Sequence, residues 1–163
     1  KTTLWSRRSA ERISLTEADE YVGAPICICK KCTACMTVHT NTVTPAMLEI
    51  AQAISKNFDA PYYLGGGTAL ALHIGHRKSV DLDYFIKEPI DTASLKKQLA
   101  DSFGDVEVTF EEKNTLWTTI DGVKVSFISR FETLLDEPID TDGLVLAGVR
   151  DITIMKLNDI CGS

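Results

Sequence analysis

The sequence predicts a mixed α/β fold, of the α+β kind, in which a mixed sheet is flanked by helices. Helix and strand patterns alternate over the first half of residues 44–163, and several short strands with apolar alternation follow in the second half. Asp121-Gly122 separates two of these strands and is a strong signal for a two-residue hairpin. Alternation followed by a meander and a last helix favours a mixed sheet over a regular parallel one.

The composition fits one domain with a hydrophobic core. The chain has 163 residues, of which 44% are hydrophobic, and its formal net charge is −6. This charge gives no basic footprint for a large duplex nucleic acid, but it allows binding of a nucleotide or of one RNA end. No apolar run reaches membrane length and no signal peptide is visible, so we expect no membrane partner and a cytoplasmic location.

Residues 1–43 show no clear periodicity, and we expect this segment to be poorly structured or non-native. Four of the five cysteines crowd into it, at Cys27, Cys29, Cys32 and Cys35. This spacing could ligate zinc or an iron–sulfur cluster, but it lacks the separated pairs of structural zinc sites and the pattern of bacterial ferredoxins. Because Met36 lies where the composition changes, one interpretation of residues 1–35 is a mis-assigned start or an added leader.

The domain of residues 44–163 opens with a helix, a short strand and a second helix. Thr44 is the predicted N-cap of the first helix, with Pro45 at its first position and an apolar stripe at helical spacing behind it. Residues 61–64 form a short buried strand, and a run of three glycines follows. We expect the second helix to begin at Thr68 and to end at Gly75.

The remaining pattern predicts five strands and two helices. Asp91 or Thr92 caps the first of these helices and Gly104 closes it, whereas Asp151 is expected to cap the last. The predicted strands are residues 80–86, 106–110, 115–120, 123–128 and 144–147, and the predicted helices are residues 92–103 and 151–162.

Two aspartates one residue apart, Asp81 and Asp83, lie in the predicted strand of residues 80–86. Side chains two positions apart on a strand point to the same face, so the two carboxylates project side by side. Two such carboxylates repel each other unless a cation neutralises them. A hard divalent ion such as Mg²⁺ or Mn²⁺ is the cation that suits carboxylate ligands. On this spacing alone, two unrelated acids on a solvated strand remain an alternative.

The glycine run before the second helix predicts a phosphate site. Glycines 65–67 let backbone amides approach a ligand without interference from a Cβ atom, and the positive end of a helix favours an anion. The run matches neither a Walker A loop nor a dinucleotide-binding fingerprint. The glycine run becomes a stronger signal because Asp81 and Asp83 follow it closely in the sequence. This order places phosphate-binding amides beside a metal site.

Residues 66–85 read Gly-Gly-Thr-Ala-Leu-Ala-Leu-x-x-Gly-His-Arg-x-Ser-x-Asp-Leu-Asp-Tyr-Phe. This run resembles the signature of the AbiEii/AbiGii-type nucleotidyltransferase toxins, which belong to the polymerase-β-like nucleotidyltransferase superfamily. Residues 151–160 resemble the later helix of that family, which carries a functional lysine, here Lys156. The resemblance covers roughly residue 44 to the end and implies the polymerase-β-like fold, with the C-terminal helical part of the relatives lacking.

The resemblance implies transfer of a nucleoside monophosphate from a nucleoside triphosphate to an acceptor hydroxyl. Asp81, Asp83 and Lys156 would be catalytic, and the two aspartates would hold Mg²⁺ or Mn²⁺. The residues expected to bind the nucleotide are Gly66, Gly67, Thr68, Arg77 and Ser79.

Each of these assignments has an ordinary structural alternative. Thr68 could be only a helix cap, Arg77 a surface salt-bridge partner, and Lys156 a solvated helix lysine. Ser79 and His76 are expected to brace the turn more than to react.

The family resemblance further implies the toxin of a type IV-like toxin–antitoxin or phage-defence pair, with an antitoxin partner and, in some relatives, tRNA as the acceptor. One feature departs from the wider superfamily, since Ser126 occupies the position where a third metal carboxylate is often found. Two alternatives stay open. One is transfer to an antibiotic, and the other is a non-catalytic nucleotide-binding module with the cysteine segment as a metal-binding arm.

Overall fold

The computed structural model describes residues 38–58 and 60–161, so the predictions for the cysteine segment lie outside the described residues. Within these ranges the chain forms four α-helices and seven strands, after a short 3₁₀ turn at Thr40–Thr42. In chain order they are α1 Pro45–Asn57, β1 Tyr63–Leu64, α2 Gly66–Ile74, β2 Asp81–Ile86, α3 Thr92–Phe103, β3 Val106–Glu112, β4 Thr115–Ile120, β5 Val123–Ser129, β6 Ile139–Thr141, β7 Leu144–Leu146 and α4 Val149–Cys161.

The seven strands form one mixed sheet in the order β3-β4-β5-β2-β1-β7-β6, with β2 in the middle. Strand β2 pairs parallel to β5, and β1 pairs parallel to β7. The other neighbours pair antiparallel. The predicted fold class, a mixed sheet with flanking helices, is confirmed.

The sheet has two differently covered faces. On one, α1 and α3 cover an aromatic core in which the ring of Phe127 lies 5.5 Å from that of Tyr84 and 5.4 Å from that of Tyr62. The hydroxyl of Tyr84 donates to the carbonyl of Ala51 in α1, at 3.4 Å. Helices α2 and α4 lie on the opposite face, which we call the aspartate face because it carries Asp81 and Asp83.

The helix ends follow the capping signals closely. Thr44 accepts a hydrogen bond from the amide of Met47 at 3.2 Å, and Asp91 accepts from two amides in the first turn of α3. Gly75 ends α2 in the left-handed conformation, with φ 67°. A residue with no Cβ adopts this conformation without steric cost, and the predicted C-cap is confirmed.

Two helix starts differ from the prediction. Helix α2 begins at Gly66, two residues before Thr68, and Gly65 is its N-cap. Helix α4 begins at Val149, so the prediction that Asp151 caps it was wrong. The Asp151 carboxylate instead accepts hydrogen bonds from the amides of Leu135 and Asp136, at 2.7 and 3.1 Å, and holds that loop against the helix.

The hairpin at Asp121-Gly122 is confirmed, with positive φ angles of 49° and 78° at its two central residues. A second hairpin of the same kind, at Asp142-Gly143, joins β6 to β7. The sequence analysis missed β6, whose three residues are too few to show alternation. No helix within the described part of the chain is long and apolar enough to cross a membrane.

Phe127→Ala should lower the free energy of unfolding by about 3–5 kcal/mol, because the side chain is fully buried among aromatic rings. Phe131→Ala is the matched control, since Phe131 is 62% exposed. Urea denaturation of both variants measures the difference. Equal losses would contradict the placement of Phe127 at the centre of the core.

Candidate active site

Strand β2 presents Asp81 and Asp83 on one face of the sheet, as their spacing predicts. Leu82 and Tyr84, which alternate with them, are buried on the other face. Because β2 is the middle strand, the two carboxylates lie near the centre of the aspartate face.

Asp83 is held by the neighbouring strand. It lies opposite Ser126 in the parallel register of β2 and β5, and the Ser126 hydroxyl donates to Asp83 Oδ1 at 2.7 Å. Ser126 therefore occupies the position that the sequence analysis gave to a third carboxylate. Burial raises the pKa of Asp83 above its usual value, and the charge of Asp81 adds to this rise. The Ser126 hydrogen bond and the charge of Lys156 act in the opposite direction on this pKa.

Thr68 and Ser79 form a buried hydroxyl pair beneath Asp81. Thr68 Oγ1 lies 2.5 Å from the carbonyl oxygen of Asp81 and 2.6 Å from Ser79 Oγ. Because a carbonyl can only accept, Thr68 donates to it and Ser79 donates to Thr68. The Thr68 hydroxyl therefore braces α2 against the start of β2, which leaves the Thr68 backbone amide as the group available to a phosphate.

The first turn of α2 packs directly on the Asp83 side chain. Gly66 has φ 60°, and a Cβ atom on it would lie 2.6 Å from Asp83 Oδ2. A Cβ atom on Gly67 would collide with the guanidinium of Arg77. The first amides of a helix have no acceptor within the helix. The first turn of α2 therefore has a carboxylate and a guanidinium lying against backbone amides that lack a partner within the helix.

Lys156 on α4 completes this group. A cavity of about 230 Å³ is lined by Gly66, Gly67, Asp83 and Lys156. Of the predicted nucleotide-binding residues, the two glycines line this cavity, and Arg77 lies against one of them. Ser79 is buried below it. The roles assigned to all these residues remain predictions.

Arg130 is a site residue that the sequence analysis missed. It lines the same cavity, and its guanidinium carbon lies 5.4 Å from the centre of the Phe85 ring. Asp159 and Glu132 hold it by ion pairs. Arg130 directly follows β5, the strand next to the aspartates, and this position is the signal that could have identified it.

The donor set suits a magnesium-like ion. Asp81 and Asp83 supply carboxylate oxygens on one face, and Asp83 is partly desolvated beside a like charge that a cation would neutralise. Among the described residues no group of three or more His, Cys, Asp or Glu side chains could hold a metal. Mg²⁺ commonly takes one or two carboxylates and completes its shell with water and substrate phosphates, so two acids fit it.

The sequence model of a known family matches residues 50–154, which is more than half of the chain. That family is described as the AbiEii nucleotidyl transferase toxin of type IV toxin–antitoxin systems. The chain belongs to this family. The resemblance found in residues 66–85 is thereby confirmed, and the family is one of transferases.

The chain is also similar to one curated protein and to several solved structures. A curated protein of Aquifex aeolicus is 35% identical over 111 residues, which are 66% of this chain and 53% of that protein. A Thermotoga maritima structure, described as a candidate nucleotidyltransferase, has a TM-score of 0.51 at 17% identity and covers 74% of this chain and 89% of its own. Helicobacter pylori JHP933 has a TM-score of 0.49 at 21% identity, covering 68% of this chain and 53% of its own.

The structural likeness to the Thermotoga protein supports the nucleotidyltransferase fold alone, because the sequences share few residues. The chain spans about half the length of the curated relative that it matches. Family membership therefore rests on the match to residues 50–154.

Gly66→Ala should disturb the site more than its backbone strain explains. A left-handed alanine costs roughly 1–2 kcal/mol, and here the new methyl group would also displace the Asp83 carboxylate. Gly122→Ala is the matched control, because Gly122 has φ 78° with nothing within 4 Å of its Cβ position. We expect denaturation to show a larger loss for Gly66→Ala, and labelled-nucleotide transfer to be lost only in that variant. Equal effects of both substitutions would contradict the close packing on Asp83.

Asp83→Asn should make the metal-free protein more stable at neutral pH. Since the pKa of Asp83 is raised in the folded state, that state keeps a proton which the unfolded chain has already released. The unfolding free energy of the native sequence therefore falls as the pH rises from the ordinary value of 3.8 through the folded pKa. Asparagine can still accept from Ser126 but does not ionise, so it removes this loss.

Urea denaturation with a chelator, from about pH 4 to about pH 7, checks this prediction. The stability of Asp83→Asn relative to the native sequence should grow as the pH rises across that range. A difference that is constant with pH would show that Asp83 titrates normally in the folded protein.

Proposed function

We propose that the chain is the nucleotidyltransferase domain of a type IV toxin, and that it moves a nucleoside monophosphate from a nucleoside triphosphate to an acceptor hydroxyl. The observation that carries this proposal is the packing of the first turn of α2 on the Asp83 carboxylate. A phosphate bound at those amides would lie next to the carboxylates that face it. The family match over residues 50–154 supports the same reaction class.

The positive groups around the 230 Å³ cavity are suited to the triphosphate. The amides of Gly66, Gly67 and Thr68 would donate to phosphate oxygens at the positive end of α2. Arg77 beside Gly67 would bind phosphate through its forked guanidinium, and Lys156 would supply a point charge from the opposite wall.

The reaction forms a bond between the acceptor oxygen and the α-phosphorus and breaks the bond from that phosphorus to the pyrophosphate oxygen. The acceptor proton leaves to solvent, and pyrophosphate is released. Asp81 and Asp83 would hold Mg²⁺ or Mn²⁺. The ion would lower the pKa of the acceptor hydroxyl and neutralise charge on the phosphate oxygens. Thr68 and Ser79 keep β2 at a fixed distance from α2, so the carboxylates stay in place relative to the bound phosphates.

The family description supports the biological setting of this proposal. Because the family is one of type IV toxin–antitoxin systems, we propose an antitoxin as a partner of this chain. We propose the cytoplasm as its location, where nucleoside triphosphates are found. We propose tRNA as the acceptor, since a chain with a net charge of −6 can still bind a single RNA end.

Incorporation of each of the four labelled nucleoside triphosphates into tRNA tests the proposal. Asp81→Ala or Asp83→Ala should lower transfer by more than about ten-fold, which corresponds to a loss of at least ~1.4 kcal/mol of transition-state stabilisation. Lys156→Ala should lower kcat/KM by about ten-fold or more, as expected for a lost charged hydrogen bond. If either aspartate variant keeps full turnover, the assignment of the carboxylates is wrong.

The control for Lys156→Ala is Lys97→Ala, because Lys97 is an exposed lysine of α3, on the other side of the sheet. It should leave transfer unchanged. Equal loss in both lysine variants would indicate a general effect of charge, and would contradict a specific contact of Lys156 with the nucleotide.

A further inference from the structure

A second surface adjoins the aspartates on the side away from α2. The strand registers place Asp83 opposite Ser126, Ser126 opposite Trp117, and Trp117 opposite Phe110. These four residues form one line across β2, β5, β4 and β3 on the aspartate face, which we call the cross-strand row. The proposed triphosphate transfer uses only the Asp83 end of this row.

The outer end of the row is aromatic and open to solvent. Trp117 is 47% exposed and Phe110 is 41% exposed, and their ring centres lie 4.9 Å apart. The residues that flank Trp117 on β4, Leu116 and Thr118, are fully buried on the other face. Two large rings left half-exposed next to each other on a sheet suggest a contact surface rather than part of the core.

An opening of about 450 Å³ joins the aromatic end to the carboxylates. Its lining includes Asp81, Asp83, Lys124, Trp117 and Ser126. This volume falls within the range of small-molecule sites in proteins, about 300–1,000 Å³. Trp117 lies two strands from Asp83, roughly 10 Å at the usual strand spacing, which is a distance that one nucleotide can bridge.

The charges along this surface limit what can bind there. Lys124 lies opposite Asp81 in the register of β2 and β5, and it is the cation in the lining of the opening. Glu107 and Glu112 lie on the same side of the outermost strand, β3, by their pairing with Thr119 and Thr115. A long polyanion would meet these acids, whereas a single terminal nucleotide would meet the aromatic rings and one lysine.

We propose that this surface is the acceptor site, and that it takes the unpaired terminal nucleotide of a nucleic acid strand. The terminal base stacks on Trp117, against which the Phe110 ring is tilted by 42°, and its sugar hydroxyl reaches Asp81 and Asp83. This inference rests on the proposed transfer function, because it gives that reaction its acceptor. The exposed face of the Trp117 ring favours a planar base over the puckered rings of an aminocyclitol, since every base offers a π-face for stacking.

Fluorescence can test the stacking without any transfer reaction. The chain has two tryptophans, so Trp5→Phe leaves Trp117 as the fluorescent tryptophan. An RNA hairpin with an unpaired 3′ tail should quench its emission. Two separate controls should not quench it: the same hairpin with a blunt, fully paired end, and an aminoglycoside alone. Equal quenching by the blunt hairpin, or quenching by the aminoglycoside alone, would overturn the proposal.

Steady-state transfer to the tailed hairpin gives a second, independent measurement. Trp117→Ala should raise the KM for the hairpin by about ten-fold, as expected for one lost base stack, and leave the KM for the nucleoside triphosphate unchanged. Trp117→Phe should restore most of the affinity. Phe131→Ala, which removes an exposed ring outside the cross-strand row, is the matched control and should change neither KM.

The outcomes separate this inference from the proposed function. If Trp117→Ala leaves the hairpin KM unchanged while Asp83→Ala abolishes transfer, the acceptor site lies elsewhere and the transfer function stands. If the tailed hairpin quenches Trp117 but no acceptor becomes labelled, the stacking site stands and the transfer function fails. Transfer to a protein hydroxyl that is insensitive to Trp117→Ala would overturn the acceptor assignment.

Discussion

The close packing of helix α2 on the Asp83 carboxylate is the contact on which the rest of the site depends. Gly66 carries its backbone so near Asp83 that no side chain fits between them. The amide of Gly65 also donates to the carbonyl oxygen of Asp83, at 2.8 Å. Helix α2 and strand β2 are therefore fixed to each other at the point where the amides proposed to bind phosphate meet the carboxylates. The buried Thr68–Ser79 pair repeats this connection one turn further along.

The electrostatics of the site follow from what lies next to Asp83. A serine in place of a third acid gives the carboxylate a hydrogen bond without adding a third negative charge. The raised pKa of Asp83 shows that burial outweighs the help from Ser126 and Lys156. With two acids in place of three, more of the metal's ligands would have to come from water and from the substrate's own phosphates. Metal and nucleotide would then bind with positive coupling, because each supplies contacts that the other lacks.

Local signals in the sequence were enough for most of the fold. The structure contains the helix ends and the hairpin predicted from Thr44, Asp91, Gly75 and Asp121-Gly122. Each of these signals depends only on residues close to it in the sequence. The sequence-based prediction failed where an element is determined by a contact with residues far away in the sequence. Asp151 looks like a helix cap in the sequence, but its partners are amides of a loop 15 or 16 residues earlier.

The same distinction explains the candidate site. The two-residue spacing of Asp81 and Asp83 placed their carboxylates on one face, whereas the placement of Ser126 beside them came from the family resemblance. Arg130, and the Trp117 of the proposed acceptor surface, were missed because their positions depend on which strands are neighbours. Parallel pairing of β2 with β5, which are far apart in the sequence, brings both residues to the aspartates. No periodicity within either segment reports that pairing.

Unequal cover on the aspartate face would give the proposed reaction a direction. Helices α2 and α4 enclose the Gly66 and Lys156 side of Asp83, whereas the side formed by β5, β4 and β3 has an opening lined by Trp117. Phosphoryl transfer requires the attacking and leaving oxygens to lie roughly in line on opposite sides of the phosphorus. A triphosphate tail held by α2 and Lys156, as proposed, would leave toward the covered side. An acceptor on the cross-strand row approaches from the open side, so the single pair of carboxylates on β2 lies between the two.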